Sequence, residues 1–201
     1  MNVIAIGAHP DDLEPQIGGT IAKLKSQNAD IKMVSVFATA TGSSVDGRKQ
    51  EAINAAKILD TSYIFLDTNP ENVNYRSLVR DIDKLFISEK PDLIFCVNNE
   101  DTHQDHRVVG DAVESSCRKN QTSLIFLNQV VPGGVNTPNL NYFTDISDFQ
   151  KKKMLSCMSY TSQINKYGDS WMKAIESRDS YWGFNLGKRY AEAAYAVKII
   201  S

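Results

Sequence analysis

VIAIGAHPDD, residues 3–12, decides the fold, because a short continuous apolar run breaks directly into a polar, proline-containing turn. Residues 3–8 show no polar alternation, so they suit a strand buried on both faces, as in a parallel sheet. Similar runs return at residues 31–37 (IKMVSVF) and 93–97 (LIFCV), with shorter ones at 63–66 and 124–126. Helical patterns lie between them. One follows Gly18-Gly19-Thr20 for about ten residues, with Ile21, Leu24 and Ala22 inward. A loop rich in Thr, Gly and Ser, residues 39–47, leads to a second at 48–59, where Ala52, Ile53, Ala56 and Leu59 recur at helical steps. Residues 76–88 (Leu78, Ile82, Leu85, Phe86) and 107–119 complete the set. Strands alternating with such helices predict an α/β fold, a Rossmann-like doubly wound, mainly parallel sheet flanked by helices.

Past residue 129 the pattern weakens. Pro132-Gly133-Gly134 and Pro138 mark turns, residues 140–146 read as a strand, and 151–160 and 170–177 as helices. Residues 190–200 fit helix or strand. With no internal repeat and no linker, residues 1–201 are expected to form one domain. A chain of this size buries roughly 70% of its unfolded surface, so folding requires no disulfide or metal staple.

Charge narrows the partners. The formal net charge is −2, and the densest cationic run is only Lys151-Lys152-Lys153, so nucleic acid is not expected as a partner. Cys96, Cys117 and Cys157 form no CxxC pair, which points to a reducing compartment. Cys96 and Cys117 read as small buried hydrophobes. The apolar run at residues 3–8 is too short for a signal-peptide core or a membrane span, so a cytoplasmic protein is expected.

The chemistry concentrates in the histidines, of which there are three: His9, His103 and His106. His9 stands in His9-Pro10-Asp11-Asp12 directly after one strand, and the other two stand in Thr102-His103-Gln104-Asp105-His106 shortly after another. In a doubly wound sheet, ligands bind beyond the carboxyl ends of the strands, so adjacent strands would bring both clusters to one crevice. Two histidines and one carboxylate would supply three ligands to zinc, leaving a position for water. The remaining carboxylate could take the water's proton, and the spare histidine could stabilise an oxyanion or protonate a leaving amine. Other divalent metals accept the same ligands. Plainer readings stand beside this one. Asp11-Asp12 could be an N-cap or a loop acid, His103 and His106 a solvated helix start, and Gly18-Gly19 a phosphate cradle. That last reading lacks both a GxGxxG and a Walker lysine.

These residues resemble a known family. Residues 8–20, AHPDDLEPQIGGT, are similar to the opening signature of the PIG-L/LmbE-like zinc-dependent N-deacetylases, and residues 102–106, THQDH, to its second signature. Residues 48–59 (RKQEAINAAKIL) resemble its Arg-x-x-Glu helix. YTSQ at 160–163 and RYAEAAYAV at 189–197 are weaker echoes. The resemblance implies His9, Asp12 and His106 as metal ligands and Asp11 as the general base. It implies His103 as stabiliser of the tetrahedral intermediate, Asp105 as the group that orients and charges His103, and Arg48 as a substrate contact. An Arg48–Glu51 pair at helical spacing is the plainer account of Arg48. Pro15-Gln16-Ile17 departs from the small, flexible residues usual there, which would reshape the loop beside the metal. The activity so implied is removal of an acetyl or other small acyl group from an N-acyl amino sugar or sugar conjugate. The rivals are a metal amidohydrolase acting on a non-sugar amide or thiol conjugate, and a silent sugar-binding relative. A homo-oligomer stays open.

Overall fold

The computed structural model describes residues 1–38, 45–66, 68–119, 122–128 and 139–200. Among these residues seven strands form one sheet: β1 (Asn2–Gly7), β2 (Asp30–Ser35), β3 (Ser62–Phe65), β4 (Leu93–Cys96), β5 (Ser123–Leu127), β6 (Tyr142–Asp145) and β7 (Ala191–Lys198). Their order is β3-β2-β1-β4-β5-β7-β6. The first five run parallel, as expected of a doubly wound sheet, and β7 lies antiparallel between β5 and β6. The ambiguous segment at 190–200 is therefore a strand. The turns expected at 132–134 and 138, and most of the loop expected at 39–47, fall outside the described residues.

The helices are α1 (Leu13–Ser26), α2 (Val45–Ile58), α3 (Tyr75–Glu89), α4 (Gln104–Cys117), α5 (Gln150–Cys157), α6 (Thr161–Tyr167) and α7 (Asp169–Asn185). Their apolar faces close the core against the sheet, with Ile21, Leu59, Ile82, Val109 and Val113 packed on Ile4, Ile6, Val34, Phe95 and Ile125. α3 shows the local logic. Asn74 caps its start by accepting the Ser77 N–H at 3.0 Å, Leu78, Ile82, Leu85 and Phe86 line its buried face, and Lys90 ends it in a left-handed conformation (φ 47°). Cys96, Cys117 and Cys157 are buried and unbridged, as small hydrophobes would be. Among the described residues, no helix is long and apolar enough to cross a membrane.

α1 begins earlier than the Gly18-Gly19 start read from the sequence. Pro15 stands at its third residue, where a missing N–H costs no intrahelical bond. The helix then breaks at Ile17 (φ −135°, ψ 17°) and restarts. The restart frees backbone N–H groups at Gly19 and Thr20, and Glu192 on β7 accepts them at 2.9 and 2.7 Å. The anion at this glycine-rich helix start is thus an internal carboxylate, which answers the phosphate-cradle reading. Glu192 is paired with Lys153 (2.8 Å), and Lys153 with Asp179 (2.6 Å), all essentially excluded from solvent. Gly18 and Gly19 admit these neighbours. A Cβ on Gly19 would stand 2.7 Å from Ile146 Cδ1, and one on Gly18 would stand 3.1 Å from Lys153 Cγ.

Candidate metal centre and active site

β1 and β4 are hydrogen-bonded neighbours, with Val3 opposite Leu93 and Ile6 opposite Cys96. The chain order reverses between them, so their carboxyl ends open the crevice where such sheets bind ligands. The two histidine loops, about a hundred residues apart in sequence, meet there.

The loop after β1 folds back on itself. The His9 N–H donates to Asp12 Oδ2 at 2.7 Å, and the Asp12 N–H reaches the His9 carbonyl at 3.4 Å. Gly7 allows this, since a Cβ there would stand 3.0 Å from both Asp12 Cβ and the His9 carbonyl oxygen. Beneath the loop, the hydroxyls of Tyr63 (3.0 Å) and Tyr160 both donate to the Pro10 carbonyl. The Tyr160 oxygen also lies 2.7 Å from Glu14 Oε1. Burial raises Glu14 to about 8 against the opposing contact with Tyr160, so at neutral pH its carboxyl keeps a proton, can donate it to the Tyr160 oxygen, and adds little negative charge beneath Asp11 and Asp12.

The loop after β4 is fixed by Asp101, whose Oδ1 accepts the His103 N–H at 2.7 Å. His103 in turn caps α4, its Nδ1 accepting the Asp105 N–H at 3.2 Å. That cap starts α4 three residues before the 107–119 span read from the sequence. It also assigns the His103 proton to Nε2, because Nδ1 is used as an acceptor. Burial, with the neighbouring His106 and His9, holds His103 below its ordinary pKa, which leaves a neutral ring with a free N–H donor.

His9, Asp12 and His106 converge: His106 Nε2 lies 3.3 Å from Asp12 Oδ1, and His9 Nδ1 lies 3.6 Å from Asp12 Oδ2. The ligand-capable atoms of the three lie within 4.8 Å of one another, as do those of His9, His103 and Asp105. The far nitrogens face other carboxylates. His9 Nε2 is 3.0 Å from Asp105 Oδ2, and His106 Nδ1 is 3.1 Å from Asp101 Oδ2.

The electrostatics suit a cation. Burial pushes Asp12 up, yet His106 and His9 outweigh it and hold the carboxyl well below its usual range. Burial opposes charge on His106, but Asp12 and Asp101 outweigh it and lift the ring to about 10; His9 is raised in the same way, chiefly by Asp12. Protons on two imidazoles thus supply positive charge that a metal ion would supply in their place. Both His106 ring nitrogens are buried without an aligned hydrogen bond. A buried ring held between two carboxylates, with neither contact aligned as a hydrogen bond, fits a metal ligand.

Asp11 and Arg48 flank this group. Burial and the Asp12 charge raise the Asp11 pKa, against Arg48 and His9. Arg48 acts electrostatically on both Asp11 and Glu51, while its Nε is buried with no hydrogen-bond partner among the described residues. The Glu51 carboxylate is engaged by Thr161 Oγ1 (2.7 Å), Ser162 N (2.8 Å) and Ser162 Oγ (2.6 Å). A simple Arg48–Glu51 pair therefore describes only part of what Arg48 does. The crevice thus brings together all seven residues expected from the sequence. The sequence reading passed over Asp101, although DTHQDH sets a second carboxylate beside the histidine pair. It also assigned no role to Tyr63 or Tyr160, whose link to Pro10 spans 53 and 150 residues.

The chain is similar to known proteins over most of its length. The family model described as GlcNAc-PI de-N-acetylase matches residues 4–117, which include every residue of the crevice group named above except Tyr160, Thr161 and Ser162. Diacetylchitobiose deacetylase from Thermococcus kodakarensis is 26% identical, over 94% of this chain and 80% of its own length. Among solved structures, the conserved protein TT1542 from Thermus thermophilus superposes with a TM-score of 0.86 at 19% identity, covering 99% of this chain and 95% of that one. GalB, the 4-carboxy-2-hydroxymuconate hydratase of Pseudomonas putida KT2440, superposes with a TM-score of 0.81 at 18% identity, covering 100% and 97%. One scaffold thus carries differently named activities, and the reaction has to be argued from the crevice residues.

Proposed function

Because the chain belongs to the GlcNAc-PI de-N-acetylase (PIG-L) family, we propose that it is a zinc-dependent hydrolase removing an N-acetyl group from an amino sugar or sugar conjugate. The observation that carries this reading is the convergence of His9, Asp12 and His106 on one buried point, with both His106 nitrogens lacking an aligned hydrogen bond. These three residues would hold the ion. When bound, zinc supplies a Lewis acid and lowers the pKa of water to about 7. Sugar as the substrate class is supported by the diacetylchitobiose deacetylase relative, which aligns over 94% of the chain.

The remaining residues divide the work. Asp11, raised by burial and by Asp12, has the proton affinity a general base needs, and it takes a proton from the attacking water. Water adds to the amide carbonyl carbon, and the oxygen that gains charge is met by the His103 Nε2–H. The C–N bond then breaks, the proton held on Asp11 passes to the leaving nitrogen, and a free amine and acetic acid result, the acid then losing its remaining proton to solvent. Arg48 supplies fixed positive charge beside Asp11 and an unspent N–H for a substrate oxygen.

The test uses tag-free protein, with zinc content and amine release from N-acetylglucosamine and diacetylchitobiose measured on wild type, Asp11→Ala and His106→Ala. Asp11→Ala should keep about one zinc per chain and lose most turnover, whereas His106→Ala should lose both. Equal activity in all three proteins refutes the assignment. A wild type with no metal and no gain from added zinc refutes the zinc reading. Turnover of acylated amino acids but not of sugars would move the substrate to a non-sugar amide.

A further inference from the structure

The family resemblance assigns Asp105 to His103, but the geometry ties its carboxylate to a different ring. It is the Asp105 backbone N–H that reaches His103 Nδ1, at 3.2 Å. The carboxylate oxygen Oδ2 instead makes an aligned 3.0 Å hydrogen bond with His9 Nε2. Asp105 and His106 are adjacent on the first turn of α4, so their side chains diverge, one over His9 and the other toward Asp12. The His103 cap fixes the Asp105 backbone, and the two side chains of the Asp105–His9 contact are only 17% and 11% exposed, so the bond is largely shielded from water.

This contact decides which His9 nitrogen is free. Asp12 Oδ2 lies 3.6 Å from Nδ1 and attracts a proton to that atom. A neutral imidazole protonated at Nδ1 would turn its lone pair away from Asp12 and His106, the point where the other candidate ligand atoms gather. An acceptor on Nε2 reverses the preference. Edge contact with His103, at 4.9 Å between ring centroids, packs against the His9 ring but does not distinguish its two nitrogens. We infer that Asp105 is a positioning residue for His9: it accepts the Nε2 proton and so keeps the Nδ1 lone pair aimed at the metal position. This rests on the metal-binding reading above. It makes Asp105 part of the metal centre rather than of the oxyanion-stabilising pair.

The test is zinc affinity, measured by competition with a chromophoric chelator on wild type, Asp105→Ala, Asp105→Asn and His103→Ala, with circular dichroism to check folding. Loss of such an outer carboxylate weakens metal binding about 10- to 100-fold. Asp105→Ala should show that loss. Asp105→Asn, whose amide oxygen can still accept from Nε2, should fall between Ala and wild type, and it keeps the helix start intact if the Ala variant folds poorly. His103→Ala, which removes the cap on the Asp105 backbone but leaves the Asp105 carboxylate, should lose less zinc affinity than Asp105→Ala. Wild-type zinc affinity in both Asp105 variants, with turnover lost as in His103→Ala, overturns the inference and returns Asp105 to His103. A wild type that binds no zinc overturns the metal reading itself, an outcome visible before any variant is compared.

Discussion

Replacing Lys153 with Met is the sharpest test of how the molecule is held together. The lysine side chain is 0% exposed, with Nζ 2.6 Å from Asp179 Oδ2 and 2.8 Å from Glu192 Oε1. Methionine fills a similar volume, so the perturbation is mainly removal of one buried charge between two carboxylates. Breaking a buried ion pair from one side costs about 3–5 kcal/mol, because the partner is left uncompensated. The lower end applies here. Asp179 keeps Arg178 at 2.9 Å, and Glu192 keeps Gly19 N, Thr20 N and Thr20 Oγ1. A loss of about 3 kcal/mol is a large share of a typical 5–15 kcal/mol. In a chain of this length it corresponds to a fall in Tm of about 6–12 °C. The assay is urea unfolding at pH 7 followed by far-UV circular dichroism, with the double variant Lys153→Met/Glu192→Gln alongside. Neutralising Glu192 removes most of the uncompensated charge, so the double variant should be the more stable of the two. A single-variant loss below about 1 kcal/mol, the scale of an exposed pair, would refute the argument. So would a double variant that is less stable than the single one.

Three further outcomes are expected. Arg48→Lys loses the planar N–H beside Asp11 and should raise KM about tenfold or more, the cost of one charge-assisted hydrogen bond, with a smaller change in kcat; an unchanged KM removes Arg48 from the substrate. Gly110→Ala places a Cβ 2.6 Å from Asn99 N and 2.8 Å from Asn99 Cα, both backbone atoms, so α4 must shift from the loop that carries Asp101. A stability loss of about 1–3 kcal/mol and weaker zinc binding should follow, checked by melting and chelator competition. Glu51→Gln tests the bridge from α2 to α6. Burial opposes ionisation, but hydrogen bonds from Ser162 and Thr161 outweigh it and hold Glu51 below its reference value of 4.5. Its folded pKa is thus depressed, so its stabilisation is complete above 4.5 and is lost as pH falls through the lower folded value. The variant should lose about 1 kcal/mol at pH 7, given the partial exposure of this carboxylate, and the gap from wild type should close in acid; a gap that is constant with pH contradicts the assignment.

The parts of the molecule legible in the sequence are those governed by short-range pattern. Buried parallel strands show as unbroken apolar runs, so β1, β2 and β4 were evident, and with them the crevice that gathers His9, His103 and His106. Local punctuation misled at α1, where Pro15 and Gly18-Gly19 read as the end of a loop. Pro15 in fact sits in a first helical turn that requires no N–H from it, and the glycines answer to Ile146 and Lys153, neighbours well over a hundred residues away. The same limit left β7 undecided, since its alanines suit a helix by propensity and become a strand by pairing with β5 and β6. Lys153 stands in a run of three lysines, a pattern that gives no local sign of burial, yet it is completely buried. Its partners at 179 and 192 lie beyond the reach of any local pattern.

The cap that Glu192 places on the restarted α1 also sets a timetable. The helix that follows the His9–Asp12 loop waits for a carboxylate 172 residues downstream of Thr20. At about 5–20 residues per second, ribosomal synthesis needs roughly 9 to 34 s to deliver it. Over the second half of that interval, from His106 to Glu192, every proposed zinc ligand has already been made, while the helix behind two of them still lacks its cap. The final geometry behind the His9–Asp12 loop then has to wait until synthesis reaches β7, a late strand acting as the latch on the first loop.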